Sequence, residues 1–271
     1  MDSGPPSVNG PTSITLASAN LPYIAYSAYD AIKCACYTGA TWDFVTIDTG
    51  GSPSIAIGSS NTPHVSYIYG HDMWYRDVKH AYYNGSSWVT EVLASGDFSY
   101  ASITLDSYEQ AHISYIDDVG DNLKYAYFNG SSWDISNIDG YSYVSWFTSI
   151  AIDSDNSVHV GYHDSYDNFD LKYAYFNGSS WNIATVDSAG IVGRYGSIAI
   201  DSVDRPHICY SDDTNGNVKY AYFDGLLWKT ETIDSEGNVG EYPCIKLDSN
   251  DRPHVSYHDV TNSDLKYAWR D

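Results

Sequence analysis

Five histidines, His64, His112, His159, His207 and His254, recur at intervals of 48, 47, 48 and 47 residues, with Tyr23 in the corresponding place near the N-terminus. So many imidazoles suggest metal ligation. Ligands of one zinc ion, however, must each lie within about 2.1 Å of it, and side chains related by a regular repeat diverge unless they meet on its axis. The pattern therefore points to structural histidines, each satisfied within its own unit. Six of the eight lysines behave the same way: Lys33, Lys79, Lys124, Lys172, Lys219 and Lys266 share one position. A partly buried ammonium requires a partner. Asp30, Asp117, Asp164, Asp212 and Asp259 in the preceding loops supply one, so a structural salt bridge is expected ahead of an anion-binding contact.

These spacings belong to an internal repeat. The segment Ser149-Ile-Ala-Ile-Asp-Ser154 returns in related form from Ser13, Ser54, Ser102, Ser197 and Cys244. The repeats run over about 13–53, 54–101, 102–148, 149–196, 197–243 and 244–271, read together as a single domain over 1–271. Each unit contains four short β patterns; in the fourth they are Ser149 to Asp153, His159 to Tyr162, Leu171 to Phe176 and Trp181 to Val186. Asn84-Gly85, Asn129-Gly130, Asn177-Gly178 and Asp224-Gly225 predict tight type I′ hairpins between the third and fourth strands. No segment reads as a helix of useful length. Four antiparallel strands repeated six times predict an all-β, six-bladed β-propeller; a solenoid would require polar capping repeats that the ends do not offer. The last unit stops after its third strand, so its blade is expected to have three strands.

The chain has 271 residues, 13 Lys and Arg against 35 Asp and Glu, and a net charge of −22. That field disfavours nucleic acid and anionic membrane surfaces, leaving cations and neutral polar ligands as partners. Its apolar bulk is aromatic, with 27 Tyr, 8 Trp and 7 Phe, which suits strands. No stretch is long and apolar enough for a membrane helix, and the N-terminal residues do not read as a secretory leader. Cys34, Cys36, Cys209 and Cys244 lack motif spacing and read as small buried residues.

The Pro-His-Val-Ser-Tyr and Leu-Lys-Tyr-Ala-Tyr-Phe-Asn-Gly-Ser-Ser-Trp patterns resemble short-blade propeller repeats of bacterial and archaeal extracellular proteins. More loosely, the chain is similar to six-bladed fucose-lectin propellers, whose blades also end in an aromatic-Asp/Asn-Gly-x-x-Trp hairpin. The resemblance implies an extracellular or cell-surface sugar-binding protein. In those lectins an Arg of the second strand and a Glu of the third hold the sugar, whereas the nearest positions here carry His159 and the Lys172-Tyr173 pair.

Departures from the repeat locate the candidate site. Tyr100, Phe147, Tyr195 and Tyr242 lie two residues before the first-strand segment, in connections expected to be long loops entering the innermost strands. Trp146, Arg194 and Glu241 precede three of them. Aromatic and charged side chains around an axial depression would bind a ligand, with a glycan or neutral polysaccharide the leading partner and a protein surface the alternative. A ring plug is the competing reading. No cofactor is expected, although the Asp-rich loops at Asp117, Asp164, Asp167 and Asp212 offer oxygen donors for Ca²⁺. A glycoside hydrolase or polysaccharide lyase is the enzymatic alternative, but Glu is scarce and only Glu241 falls near the expected axis. Trp74 and Arg76, in an inserted loop, suggest a contact surface.

Overall fold

The computed structural model describes residues 8–70, 75–140, 144–165 and 169–270; the side chains of residues 8–10, 145 and 146 lie outside that description. It is a six-bladed β-propeller, with five four-stranded antiparallel sheets and one three-stranded sheet. The first blade contains β1 (Val8–Leu16), β2 (Pro22–Ala28), β3 (Ala31–Tyr37) and β4 (Trp42–Thr49). The second contains β5 (Gly51–Ile57), β6 (Pro63–Gly70), β7 (Arg76–Tyr83) and β8 (Trp88–Ala94). The third contains β9 (Phe98–Leu105), β10 (Ala111–Asp117), β11 (Asn122–Phe128) and β12 (Trp133–Asp139). The fourth contains β13 (Val144–Ile152), β14 (Val158–Asp164), β15 (Asp170–Phe176) and β16 (Trp181–Asp187). The fifth contains β17 (Val192–Ile200), β18 (Pro206–Asp212), β19 (Asn217–Phe223) and β20 (Trp228–Asp234). Among the described residues the sixth contains β21 (Glu241–Leu247), β22 (Pro253–Asp259) and β23 (Asp264–Trp269). By internal contacts the chain divides into two compact units, 1–137 and 138–271.

Within each unit, the repeated segment is a device for joining neighbouring blades. The hydroxyls of Ser13, Ser54 and Ser149 accept from the backbone N–H of Ile55, Ile103 and Ile198, each in the following blade. The Asp-Ser that ends the segment joins the same way. Asp204 accepts from the backbone and hydroxyl of Ser154, and Asp251 from those of Ser202. Glu109 does this for Ser59 and Ser60, and these bonds hold its carboxyl down at about 2. The core lies between sheets: Ala25, Ile32 and Cys34 of the first blade bury against Ile55, Val65 and Tyr67 of the second. Leu171 and Val186 of the fourth bury against Val192, Ile198 and Tyr210 of the fifth.

Several local expectations change. The third-to-fourth connections are four-residue turns: the Asn177 side chain accepts from the backbone of Ser179 and Ser180, and among the turn residues only Gly178 has a positive φ, at 90°. The side-chain bonds satisfy the turn without placing Asn in the left-handed region, so type I′ is not used. Connections between first and second strands contain five residues, as in 153–157, so loop length does not distinguish the two ends of the blades. In the third to sixth blades those loops are closed by a carboxylate, as where Asp153 accepts from the N–H of Asp155 and Ser157. Cys34 and Cys209 are buried, whereas Cys36 is half-buried and Cys244 exposed; all four thiols are free.

Candidate functional site

Tyr100, Phe147, Tyr195 and Tyr242 lie inside the first strands β9, β13, β17 and β21, not in loops before them. Strand pairing continues because each ladder slips there: register shifts occur between Ser114 and Ile116 opposite β9, between Val144 and Thr148, between Arg194 and Ser197, and between Glu241 and Cys244. At these bulges Tyr100, Tyr195 and Tyr242 have φ of 49°, 53° and 52°, and Ser52, in the equivalent place of the second blade, has 53°. A left-handed backbone costs a non-glycine residue about 1–2 kcal/mol. A bulge redirects the side chain out of the alternation of its strand.

In the second unit the redirected rings meet. Tyr195 and Tyr242 stand 4.3 Å apart between centroids and 43° between planes. Tyr242 is 62% exposed. Partial burial, then Tyr242 and Glu241 beside it, push the Tyr195 hydroxyl up to about 12, so it stays a neutral donor. Glu241 Oε2 lies 3.7 Å from His258 Nδ1, and Arg194 donates to Asp213 at 2.9 Å. Rings, an acid, an imidazole and a guanidinium thus share one region of β17, β21 and β22. Tyr100, 40% exposed, belongs to the first unit. Phe147 is core: it is 8% exposed, and its ring occupies the space that a Cβ on Gly196 would enter. The Trp146 side chain lies outside the described residues.

The recurring histidines are anchored locally. His112 and His159 bond through Nδ1 to Tyr125 and Tyr173 at 2.6 Å, and His207 and His254 to Tyr220 and Tyr267. Each Nε2 faces an aspartate, Asp106, Asp153, Asp201 or Asp248, at 3.1–3.6 Å. The second blade breaks this pattern twice, with Gly58 in place of the aspartate and His80 in place of the tyrosine. There His64 Nδ1 faces His80 Nε2 at 3.0 Å, and His80 Nδ1 faces Glu91 at 2.9 Å. Burial, then the neighbouring His80, lower His64 to about 4.

Lys124, Lys172 and Lys266 pair as expected with Asp117, Asp164 and Asp259, which end the second strands rather than lie in the loops, whereas Asp212, expected opposite Lys219, instead accepts from Asn215. Lys79, Lys172, Lys219 and Lys266 reach the last aspartate of the previous blade's fourth strand, Asp48, Asp139, Asp187 and Asp234 respectively. The same aspartates accept the buried hydroxyls of Tyr67, Tyr162, Tyr210 and Tyr257. This clasp was legible in the recurrence of Asp at the end of strand four, a signal the lysine spacing overshadowed. Burial raises the carboxyls of Asp48, Asp187 and Asp234, but lysine and tyrosine donors more than offset it, leaving them below the ordinary value. For the third blade the place of that aspartate is taken by Ala94, and Arg76 instead joins Asp97 and Asp118 at 2.7 and 2.8 Å. Arg76 is therefore committed within the fold, and Trp74 lies outside the described residues.

No group of three or more His, Cys, Asp or Glu is arranged to hold a metal among the described residues. Asp117, Asp212 and Asp259 instead accept local backbone N–H groups, and Asp167 lies outside the described residues. A cleft of about 320 Å³ that the sequence did not reveal opens beside β23, lined by Tyr220, Glu231, Ile233, Val255, Trp269 and Arg270.

The chain shares its fold with fucose-binding lectins. The SapL1 lectin in complex with alpha methyl fucoside superposes with a TM-score of 0.65 at 16% identity, covering 97% of this chain and 94% of that one. The Aleuria aurantia lectin, as a point mutant in complex with Fucalpha1-6GlcNAc, gives 0.67 at 12% identity over 95% and 90%. A Hadza microbial sialidase, Hz136, gives 0.61 at 11% identity, over 96% of this chain and 65% of that one. No protein-family profile and no curated protein matches the chain. At these identities the likeness concerns architecture; the residues that differ decide function.

Proposed function

We infer that this protein is a non-catalytic carbohydrate-binding module, lectin-like, acting outside the cell or at its surface on neutral glycans. The observation that carries the reading is the Tyr195 and Tyr242 pair, held on left-handed backbone and partly open to solvent. Strained backbone persists where the surrounding structure over-determines it, and such positions concentrate at ligand sites. Aromatic faces pack on the C–H surface of a sugar while Glu241 accepts from its hydroxyls and the Tyr195 hydroxyl donates. The net charge of −22 repels acidic polysaccharide and leaves neutral sugars favoured. Tyr100 presents a comparable ring in the third blade, and Arg194 borders the pair. That solved propellers of this fold carry fucosides adds support. A glycan array with and without calcium, run on the parent and on a Tyr195→Ala/Tyr242→Ala double variant, tests the reading. Glycan signal lost in the double variant supports it; undiminished signal places the site elsewhere.

A further inference from the structure

The hairpin between the third and fourth strands reads Asn-Gly-Ser-Ser in the second, third and fourth blades, beginning at Asn84, Asn129 and Asn177. In each, the asparagine Oδ1 takes three donors, the N–H and the hydroxyl of the serine two residues on and the N–H of the serine after it, all at 2.8–3.1 Å. The fifth blade shows how much of this the turn itself requires. Its hairpin is Asp224-Gly-Leu-Leu, and Asp224 accepts the same two N–H groups at 2.9 and 2.8 Å with leucine in place of the hydroxyl. A side-chain oxygen followed by glycine is therefore sufficient. The amide nitrogen at the first position and the hydroxyl at the third exceed that requirement, and they recur in three blades.

Asparagine, any residue but proline, then serine or threonine is the pattern at which sugar is joined to a side-chain amide in surface loops. The reaction needs an exposed turn and a free amide nitrogen. Two of the three hairpins offer both. Residues 84–87 and 177–180 are all exposed, and a Cβ on Gly85 or Gly178 would meet nothing within 4 Å. Among the described residues Nδ2 of Asn84 and of Asn177 makes no hydrogen bond, since each asparagine bonds through Oδ1. The third hairpin differs in both respects. Asn129 Nδ2 donates to Asp134 at 3.0 Å and to the Ser132 hydroxyl at 3.2 Å, and the Gln110 side chain stands 3.5 Å from where a Cβ on Gly130 would lie.

We propose that Asn84 and Asn177 are acceptors of N-linked sugar, and that Asp134 holds Asn129 back from the same modification. The donor class is an oligosaccharide joined through its anomeric carbon to a lipid diphosphate. The bond from Nδ2 to that carbon forms as the bond from the carbon to the diphosphate oxygen breaks. The lipid diphosphate leaves, and one Nδ2 proton passes to a base of the transferring enzyme; nothing is oxidised or reduced. Nδ2 carries two hydrogens and loses one, whereas Oδ1 keeps its three donors, so the turn survives the transfer. Access to such a donor rests on the extracellular reading above, while the acceptor chemistry belongs to the hairpins and not to Tyr195 and Tyr242.

The purified, folded protein, incubated with an oligosaccharyltransferase and a lipid-diphosphate oligosaccharide, tests this by intact mass and by peptide mapping. Sugar at Asn84 and Asn177 is expected, with Asn129 occupied at most about one third as much, the worth of one net hydrogen bond. Asp134→Ala should bring Asn129 level with the other two. Ser86→Ala should abolish modification at Asn84 and Ser86→Thr should retain it, both with the fold intact by circular dichroism. A folded protein left unmodified where a Tyr-Asn-Gly-Ser-Ser-Trp peptide is modified overturns the proposal, as does undiminished sugar at Asn84 in Ser86→Ala. Equal occupancy of all three sites, unmoved by Asp134→Ala, overturns the role given to Asp134. The glycan array reads Tyr195 and Tyr242 instead, and the acceptor assay supplies its donor directly, so the two readings fail separately.

Discussion

The hydroxyl of Tyr210, in the fifth blade, donates at 2.6 Å to the carboxylate of Asp187 in the fourth, and the Lys219 ammonium reaches the same oxygen. One aspartate thus ties two strands of the next sheet to the end of its own, with both donors buried. Removing the acceptor leaves a buried cation and a buried hydroxyl unpartnered. Asp187→Ala is expected to cost about 3–5 kcal/mol, read as a fall in Tm of roughly 2–4 °C per kcal/mol in a chain of this size.

The lysine side of the clasp is milder. Lys172 has two carboxylates in reach, Asp139 and Asp164, and both keep other surroundings when it is gone. Lys172→Met should lower stability by about 1–3 kcal/mol while glycan affinity stays at the parent value. Lost affinity at unchanged Tm would make the lysines ligand contacts.

Alanine at both Tyr195 and Tyr242 should abolish glycan binding at a stability cost below about 2 kcal/mol, because Tyr242 is largely exposed already. Glycine at Tyr242 should be more stable than alanine there by about 1 kcal/mol, since it relieves the left-handed backbone. Urea melts distinguish this from a ring plug, whose removal costs several kcal/mol.

Acid should destabilise the protein before its carboxylates titrate. Burial lowers His112, His159 and His207 despite their aspartates, and lowers His64 from 6.5 to about 4. The unfolded chain therefore binds these protons first. Their contribution is complete above about pH 6.5 and is lost as pH falls through the folded values, for His64 between 6.5 and about 4. Tm measured from pH 7 to 4 should fall, and His64→Gln should flatten part of that slope.

Gly193 has a φ of +98°, and a Cβ on it would lie 2.8 Å from Leu171 Cα. Gly193→Ala combines strain with a backbone clash and should cost at least about 1–3 kcal/mol in urea denaturation.

The repeat determined the blade count, because strand alternation, turn residues and a 47- to 48-residue period are all local signals. The histidine and lysine spacings likewise announced one structural task performed once per blade. What each residue touches was decided between blades. Asp187 lies 32 residues from Lys219, and Glu231 lies 39 from Arg270, so no local pattern pairs them. The bulges were hidden for a related reason: a residue in left-handed conformation inside a strand has no sequence signature unless it is glycine, and Tyr195 and Tyr242 are not. Type and period were therefore written in the chain, whereas exposure, as in Tyr242 against the buried Phe147, was set by which space the neighbouring blade had already filled.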